Sequence, residues 1–166
     1  MNKWSENKRA ILVTTSDPTH DNNAWETPQL WWEKLNETYQ FNYDLAANSK
    51  NAKTENYFTF ENNSLVQDWG QLEGWQWLNP PYGRTIEDWV KKASDTILNK
   101  TISNFKGIVM LIPARTDTKY WHDYIFSNSK IKVEFVRGRL YFEKNGVKSD
   151  AAPFPSALVI FKKLDK

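Results

Sequence analysis

The chain has 166 residues, a formal net charge of +2 and no cysteine, a size that is typical of one domain. The lack of cysteine excludes disulfides, thiolate metal sites and a cysteine nucleophile, and two histidines leave little room for a multi-histidine zinc site. Nine Trp, seven Tyr and nine Phe supply either core packing or flat faces for stacking bases, and composition alone does not separate these uses.

The first elements along the chain are a polar arm and a helix. Residues 1–24 are polar and mixed in charge, which predicts a loose arm with a short strand at 11–13. Thr27 and Pro28 then precede apolar residues at helical spacing, namely Leu30, Trp31, Leu35 and Tyr39. Thr is a favoured N-cap and Pro a favoured first helical residue, so the pattern predicts a helix that begins here.

A short strand and a long loop follow this helix. Residues 41–47 alternate apolar and polar side chains and predict a strand that ends on Asp44-Leu45-Ala46-Ala47. Residues 48–63 are rich in Asn and weakly patterned, which predicts a loop with a strand fragment around 57–58.

The middle of the chain has the clearest strand and helix patterns. Residues 75–78 predict a strand that stops at Asn79-Pro80-Pro81-Tyr82. After it, a helix is predicted from the apolar spacing of Ile86, Trp89, Val90, Ala93 and Ile97. Residues 107–112 are a continuous apolar run ended by Pro113, which is typical of a strand buried on both faces of a parallel sheet.

The last part of the chain is predicted to be rich in strands. A helix is predicted over 118–126, and the alternation over 131–136 indicates a strand. Residues 139–142 and 156–161 predict two further strands, with Gly146 in a turn or loop between them.

This order of elements is an α/β layout, in which sites lie at the carboxyl ends of the parallel strands. Asp44 and Asn79 each come at the end of a predicted strand. We therefore expect these two polar side chains at the same rim of the sheet.

The tetrapeptide Asn79-Pro80-Pro81-Tyr82 is the motif that points most directly to chemistry. Its two prolines lack N–H donors and fix φ, so the loop is stiff. The side-chain carbonyl of Asn79 and the backbone carbonyl of Pro80 can both accept hydrogen bonds from an amino group, and Tyr82 offers a face to a planar ring. These groups suit an exocyclic amine on an aromatic ring, such as that of adenine. The alternative is an ordinary proline-rich turn at the end of a strand.

The motif resembles the catalytic motif of amino-group methyltransferases that use S-adenosylmethionine (SAM), and the wider pattern resembles the phage-type DNA adenine methyltransferase (Dam) family. The resemblance covers residues from about 25 to 162 and rests on the further segments 26–31, 41–47, 51–53, 57–59, 64–65, 68–69, 110–115, 138–142 and 153–157. It implies a Rossmann-like, class I SAM-dependent methyltransferase fold in one minimal domain over 25–166, after the arm at 1–24. Gly is absent from 1–69, so the chain lacks the glycine-rich loop of most SAM enzymes.

The resemblance implies a cofactor site built from several parts of the chain. Thr27 and Pro28 would bind the methionine end of SAM, and Asp44 would attract its ammonium group. Asp68, with Trp69 beside it, would frame the adenine of the cofactor, although Trp69 can equally belong to the core. The implied cofactor-binding residues are Thr27, Pro28, Asp44, Ala46, Asp68 and Asn79.

The resemblance also implies residues for catalysis and for DNA. Asn79, Pro80 and Pro81 would hold the amine, and Tyr82 would stack on the target base. Phe142 or Phe154 would supply a second aromatic face, with a place in the core as the alternative for both. Arg115 and Arg139, with Arg137 nearby, would contact phosphate, and surface ion pairs are the alternative.

The implied function is SAM-dependent methyl transfer to the exocyclic amino group of adenine in DNA, with the base flipped out of the duplex. The implied reaction needs no metal. Two alternatives remain at this point: methylation of RNA or of a protein glutamine by the same motif, and a non-catalytic DNA-binding module. Intact Asn79 and Tyr82 favour an enzyme.

The partners expected from the sequence are SAM and DNA, without a membrane. No apolar run approaches the roughly 20 residues of a spanning helix, and no signal peptide is visible, so the cytoplasm of a bacterial or phage-infected cell is expected. The length leaves little room for a separate recognition region. Short or loose specificity, the arm at 1–24, the loop at 143–155 or a second copy of the chain would account for this.

Overall fold

The computed structural model describes residues 25–165. The predicted arm at 1–24, with its strand at 11–13, lies outside the described residues, and the domain boundary at residue 25 stays a prediction. Within the described part of the chain, no helix is both long and apolar enough to cross a membrane.

A six-stranded sheet forms the centre of the fold. The described part of the chain has eight strands: β1 (Phe41–Asp44), β2 (Asn56–Tyr57), β3 (Gly74–Leu78), β4 (Phe105–Pro113), β5 (Lys132–Phe135), β6 (Glu143–Lys144), β7 (Val147–Lys148) and β8 (Ser156–Lys162). Six of them form the central sheet in the order β2-β1-β3-β4-β8-β5, and β6 and β7 form a separate hairpin. The first four strands of that order are parallel, and β8 is antiparallel to both β4 and β5, so β8 alone runs against the other five. This mostly parallel sheet confirms the predicted Rossmann-like α/β fold.

The predictions for the middle of the chain are confirmed. Strand β4 is buried from Gly107 to Pro113 because β3 pairs with one of its edges and β8 with the other. The helix after the proline motif is α2 (Ile86–Leu98), and its apolar face is buried as its spacing predicted. A strand buried on both faces has to be apolar throughout, which is why the run at 107–112 was readable.

The start of the first helix differs from the prediction. Helix α1 spans Gln29–Tyr39, and Pro28 occupies the N-cap position without a side-chain hydrogen bond. The prediction of Thr27 as N-cap is wrong, because its hydroxyl bonds a residue far along the chain. A distant carboxylate takes over part of the capping: the backbone N–H of Gln29 donates to Oε1 of Glu143 at 3.2 Å.

The predicted helix over 118–126 is present as a π-helical segment at Trp121–Phe126. Trp121 is fully buried, and its indole N–H donates to the carbonyl of Pro113 at 3.3 Å. This contact ties the segment to the carboxyl end of β4. Apolar spacing predicts a helical turn but does not distinguish the π from the α hydrogen-bond pattern.

The predicted strand over 139–142 is wrong. Its residues form an irregular connection in which Leu140 and Phe142 are buried and their carbonyls accept hydrogen bonds from Ala152 and Ser149. The alternating pattern therefore reflects two side chains anchored in the core rather than a strand of the sheet. Gly146 lies in the turn of the β6–β7 hairpin with φ of +74°, which confirms its predicted turn.

Part of the aromatic excess is core material. Trp69, Trp77, Trp89 and Trp121 are all less than 2% exposed. A buried Trp removes roughly 150–250 Å² from water, so these four side chains supply much of the packing that smaller apolar residues usually provide.

Candidate active site

A cleft of about 840 Å³ lies at the carboxyl ends of β1 and β3. Asp44 is the last residue of β1, and Asn79 follows the last residue of β3, which pairs in parallel with β1. Both side chains line the cleft, so the prediction that they share one rim of the sheet is confirmed.

In the side-chain amide of Asn79, the nitrogen is hydrogen-bonded to described residues and the oxygen is not. Its Nδ2 donates to the backbone carbonyl of Trp25 at 2.5 Å and to the hydroxyl oxygen of Thr27 at 3.0 Å. A backbone carbonyl can only accept, so the amide nitrogen must face Trp25 and the amide oxygen must face the other way. That oxygen, Oδ1, is shielded from solvent and accepts no hydrogen bond from the described residues.

Asp44 is buried at the floor of the cleft, with 2% of its surface exposed. Its carboxylate accepts backbone N–H bonds from Ala46 at 3.2 Å and from Lys53 at 3.0 Å. Burial raises the pKa of Asp44 to about 7, although the two N–H bonds and the charge of Lys53 act in the opposite direction. A nearby cation would therefore be needed to keep this carboxylate fully ionised at neutral pH.

The other residues implied for the methionine end of SAM are placed differently. Thr27 and Ala46 line the cleft, and the Thr27 hydroxyl is shared with Asn79. Pro28 is absent from the lining of the cleft, because it serves as the N-cap residue of α1.

Tyr82 is not an open stacking face in this structure. It is 4% exposed, and its hydroxyl donates to the carbonyl of Leu111 at 3.1 Å. Phe142 and Phe154 both meet its ring edge-on, at interplanar angles of 89° and 79°. The two candidate partners are thus both against Tyr82, but they form a closed cluster with it and with Trp25 rather than a slot for a base.

Asp68 does not line the cleft. Its carboxylate accepts the N–H of Gly70 at 3.1 Å and caps the 3₁₀ helix Trp69–Gln71. It lines a different groove, beside α2. Trp69 is a core residue whose indole N–H donates to the carbonyl and the hydroxyl of Ser64.

The predicted phosphate contacts lie at the same edge of the sheet but outside the cleft. Arg115 follows the end of β4 and places its guanidinium 5.9 Å from the centre of the Phe154 ring. Arg139 follows β5, and its Nη1 donates to the carbonyl of Ala152 at 3.4 Å. Both side chains are exposed, and neither forms an ion pair with a described residue.

Two residues of the cleft were not assigned a role from the sequence. Trp25 contributes through its backbone carbonyl, which no sequence pattern reveals. Lys53 lies in a segment that resembles the family, yet only the structure shows that its side chain reaches the cleft. Among residues 25–165, no cluster of three His, Cys, Asp or Glu is arranged to hold a metal ion.

The sequence was also compared with known proteins. The family described as DNA N-6-adenine-methyltransferase (Dam) matches residues 14–166, so the match begins inside the predicted arm. A DNA N-6-adenine-methyltransferase of Haemophilus phage HP1 is 32% identical over 158 residues, which covers 92% of this chain and 86% of the relative. A protein of the same name from Escherichia phage T1 is 32% identical over 108 residues, covering 64% of this chain and 42% of the relative.

Proposed function

Because the chain belongs to the DNA N-6-adenine-methyltransferase (Dam) family, we propose that it transfers a methyl group from SAM to the exocyclic amino group of adenine in DNA. The single observation that carries this proposal is the free Oδ1 of Asn79. A buried acceptor without a partner costs about 1–3 kcal/mol, so a fold that retains one beside a cleft has a donor for it in another state. An amino group is such a donor.

Asn79 and Pro80 act on the amine. Oδ1 of Asn79 accepts one N–H of the adenine amino group, and the carbonyl of Pro80 is proposed to accept the other. Two acceptors draw the amine lone pair out of the ring system and direct it at the methyl donor. The Trp25 carbonyl and the Thr27 hydroxyl keep the Asn79 oxygen pointing at the amine, because they hold the nitrogen of the same amide.

The cleft suits the proposed cofactor. Its aromatic lining by Phe58 and Phe60 and the buried carboxyl of Asp44 fit a molecule that combines a flat base with an ammonium group. When bound, SAM would supply the methyl group by in-line displacement: the N–CH₃ bond would form as the S–CH₃ bond breaks, S-adenosylhomocysteine would be the leaving group, and the amine would lose one proton to solvent. Asp44 orients this cofactor by pairing with its ammonium.

Adenine must leave the DNA stack to reach Asn79, since its amino group is inaccessible inside a duplex. Because Oδ1 is shielded, entry of the base is proposed to displace neighbouring side chains, for which the aromatic cluster of Trp25, Tyr82, Phe142 and Phe154 is the candidate. The exposed Arg115, Arg137 and Arg139 at the same edge are proposed to contact DNA phosphates. The proposed setting is the cytoplasm of a bacterial or phage-infected cell.

The substitution Asn79→Ala tests the role of the free oxygen. We expect methyl transfer to DNA to fall by about 10²–10³-fold, the usual effect of removing one positioned hydrogen-bonding group from a reacting centre. Single-turnover transfer from labelled SAM measures this rate, and calorimetric titration checks that SAM still binds. Asn99→Ala is the matched control, since Asn99 is an exposed residue at the end of α2. Near wild-type transfer by Asn79→Ala would refute the assigned chemistry.

A further inference from the structure

Lys53 is the one cation among the described residues that line the cleft. Its backbone N–H donates to Oδ2 of Asp44 at 3.0 Å, which fixes the lysine next to that carboxylate. Its side chain reaches helix α1, where Nζ donates to Oε1 of Gln29 at 2.8 Å. The ammonium group therefore stands at the junction of β1, its following loop and the start of α1.

The charge of Lys53 is not paired. Ion pairs within 4.0 Å in the described part of the chain join Lys91 to Asp95, Lys119 to Asp123 and Lys132 to Glu134, and do not involve Lys53. The hydrogen-bond partner of its Nζ is the neutral amide of Gln29. Burial lowers the pKa of Lys53, and the carboxylates of Glu143, Asp44, Glu26 and Glu33 oppose this effect from beyond 4.0 Å. A half-buried ammonium whose acidic neighbours are all out of direct contact can still gain an anion that approaches to hydrogen-bond distance.

Two polar groups at the start of α1 are already in use. The N–H of Gln29 is already taken by the carboxylate of Glu143, and the hydroxyl oxygen of Thr27 accepts from Asn79. A carboxylate that enters this end of the cleft thus finds Lys53 as its cationic partner.

We infer that Lys53 binds the carboxylate of the amino-acid end of SAM, beside the ammonium-binding Asp44. The inference rests on the proposed cofactor. In an α-amino acid the ammonium and the carboxylate are attached to one carbon, so their protein partners must be neighbours. The backbone N–H of Lys53 donates to the carboxylate of Asp44, which places the two residues side by side. The exposed arginines that would meet DNA phosphates lie outside the cleft.

The test compares SAM with its decarboxylated analogue, which keeps the ammonium and the sulfonium but lacks the carboxylate. The wild-type chain should bind SAM at least about tenfold more tightly than the analogue, as expected for a charge-assisted pair. Lys53→Met should bind SAM about tenfold more weakly than the wild type but should bind the analogue equally well. This variant would therefore lose the preference for SAM over the analogue. Lys53→Arg should keep most of that preference. Lys50→Met, in the same loop but exposed, is the matched control and should discriminate as the wild type does.

Calorimetric titration gives these dissociation constants without any methyl transfer, so the result is independent of whether adenine is the substrate. Equal weakening of both ligands by Lys53→Met, or a wild-type chain that binds them equally, would overturn the inference. A titration with DNA in the absence of cofactor tests whether Lys53 binds a DNA phosphate instead. Unchanged affinity of Lys53→Met for DNA supports the carboxylate, whereas a loss that shrinks at high salt would assign Lys53 to a phosphate instead.

Discussion

Two concave surfaces of this molecule hold both acidic and basic side chains, and only one of them has the features of a site. The groove beside α2, lined by Asp68, Lys91, Lys92 and Asp95 among others, encloses about 1170 Å³ and is the larger of the two. Several of its charged side chains have local partners. Lys91 pairs with Asp95 one helical turn away, Asp68 caps a 3₁₀ helix, and the ammonium of Lys92 lies 4.9 Å from the centre of the Trp69 ring.

The cleft at the carboxyl ends of β1 and β3 is smaller, and its polar groups are left incomplete. Oδ1 of Asn79 has no donor among residues 25–165, Lys53 has no carboxylate within ion-pair distance there, and Asp44 is buried with a raised pKa. The difference shows that neither volume nor charge marks the site. A buried polar atom without a partner does not mark it alone either, since Trp32 Nε1, Gln76 Oε1 and Ser156 Oγ also lack partners among the described residues and line neither surface. The cleft is distinguished because such an atom, Oδ1 of Asn79, lies with a buried carboxyl and a lysine at the carboxyl ends of parallel strands.

The largest further effect is expected at Thr27. Thr27→Val removes one of the two acceptors that hold the Asn79 amide, so methyl transfer should fall by about tenfold or more, the cost of a misdirected hydrogen-bonding group. Thr27→Ser keeps the hydroxyl and should restore the rate. The dissociation constant of SAM should stay unchanged in both variants. A weaker SAM complex with an unchanged transfer rate would instead make Thr27 a cofactor ligand.

Binding of SAM should depend on pH through Asp44. In the empty cleft the pKa of Asp44 is about 7, and the ammonium of the cofactor pairs only with the ionised form. The affinity should therefore rise with pH, by at most about tenfold per unit below pH 7, and level off above it. Lys53 is the charged side chain that also faces this carboxylate. Titrations between pH 5.5 and 7.5, where the α-amino group of SAM remains protonated, check the slope, and Asp44→Asn should remove it.

The stability of the chain without cofactor should show the opposite trend. The pKa of Asp44 is raised from 3.8 in the unfolded chain to about 7 in the fold, so the folded state holds the proton more tightly. This contribution is fully present below pH 3.8 and is lost as the pH rises through 7. The free energy of unfolding, measured by urea denaturation relative to Asp44→Asn, should fall across that window. A difference that stays constant would contradict the assigned burial.

The smallest effect is expected in the groove. Lys91→Ala breaks an exposed ion pair between residues four apart on a helix, which changes the free energy of unfolding by less than about 0.5 kcal/mol. Methyl transfer and SAM binding should match the wild type. A clear loss of methyl transfer or of SAM binding would show that the groove has a function and would contradict the distinction drawn between the groove and the cleft.

The sequence predicted the parts of the site that follow from sheet geometry. Strand β4 was readable because it is apolar on both faces, and the shared rim of Asp44 and Asn79 followed because parallel strands end at one edge. The role of Thr27 was not readable, since its hydroxyl bonds a residue 52 positions away rather than the adjacent helix. Local capping rules cannot anticipate such a contact.

Other differences between expectation and structure have the same origin. Asp68 carries the right chemistry for a cofactor ligand, but local backbone geometry directs its carboxylate to Gly70. The pattern over 139–142 is typical of a strand, yet it arises because Leu140 and Phe142 are buried in the core while their segment is irregular. Tyr82 was predicted from its chemistry to be an open face, and its hydrogen bond to Leu111 and its aromatic neighbours enclose it. Each outcome depends on contacts between residues distant in sequence or on competing local bonds.

The product of the reaction tests the central claim most directly. The wild-type chain is incubated with labelled SAM and unmodified DNA, and the digested nucleosides are separated and identified, with RNA and a glutamine-containing protein as parallel substrates. The account predicts label in DNA as N6-methyladenine, formed about 10²–10³-fold more slowly by Asn79→Ala. Label confined to RNA or to protein glutamine, or no transfer by a chain that binds both SAM and DNA, would contradict it.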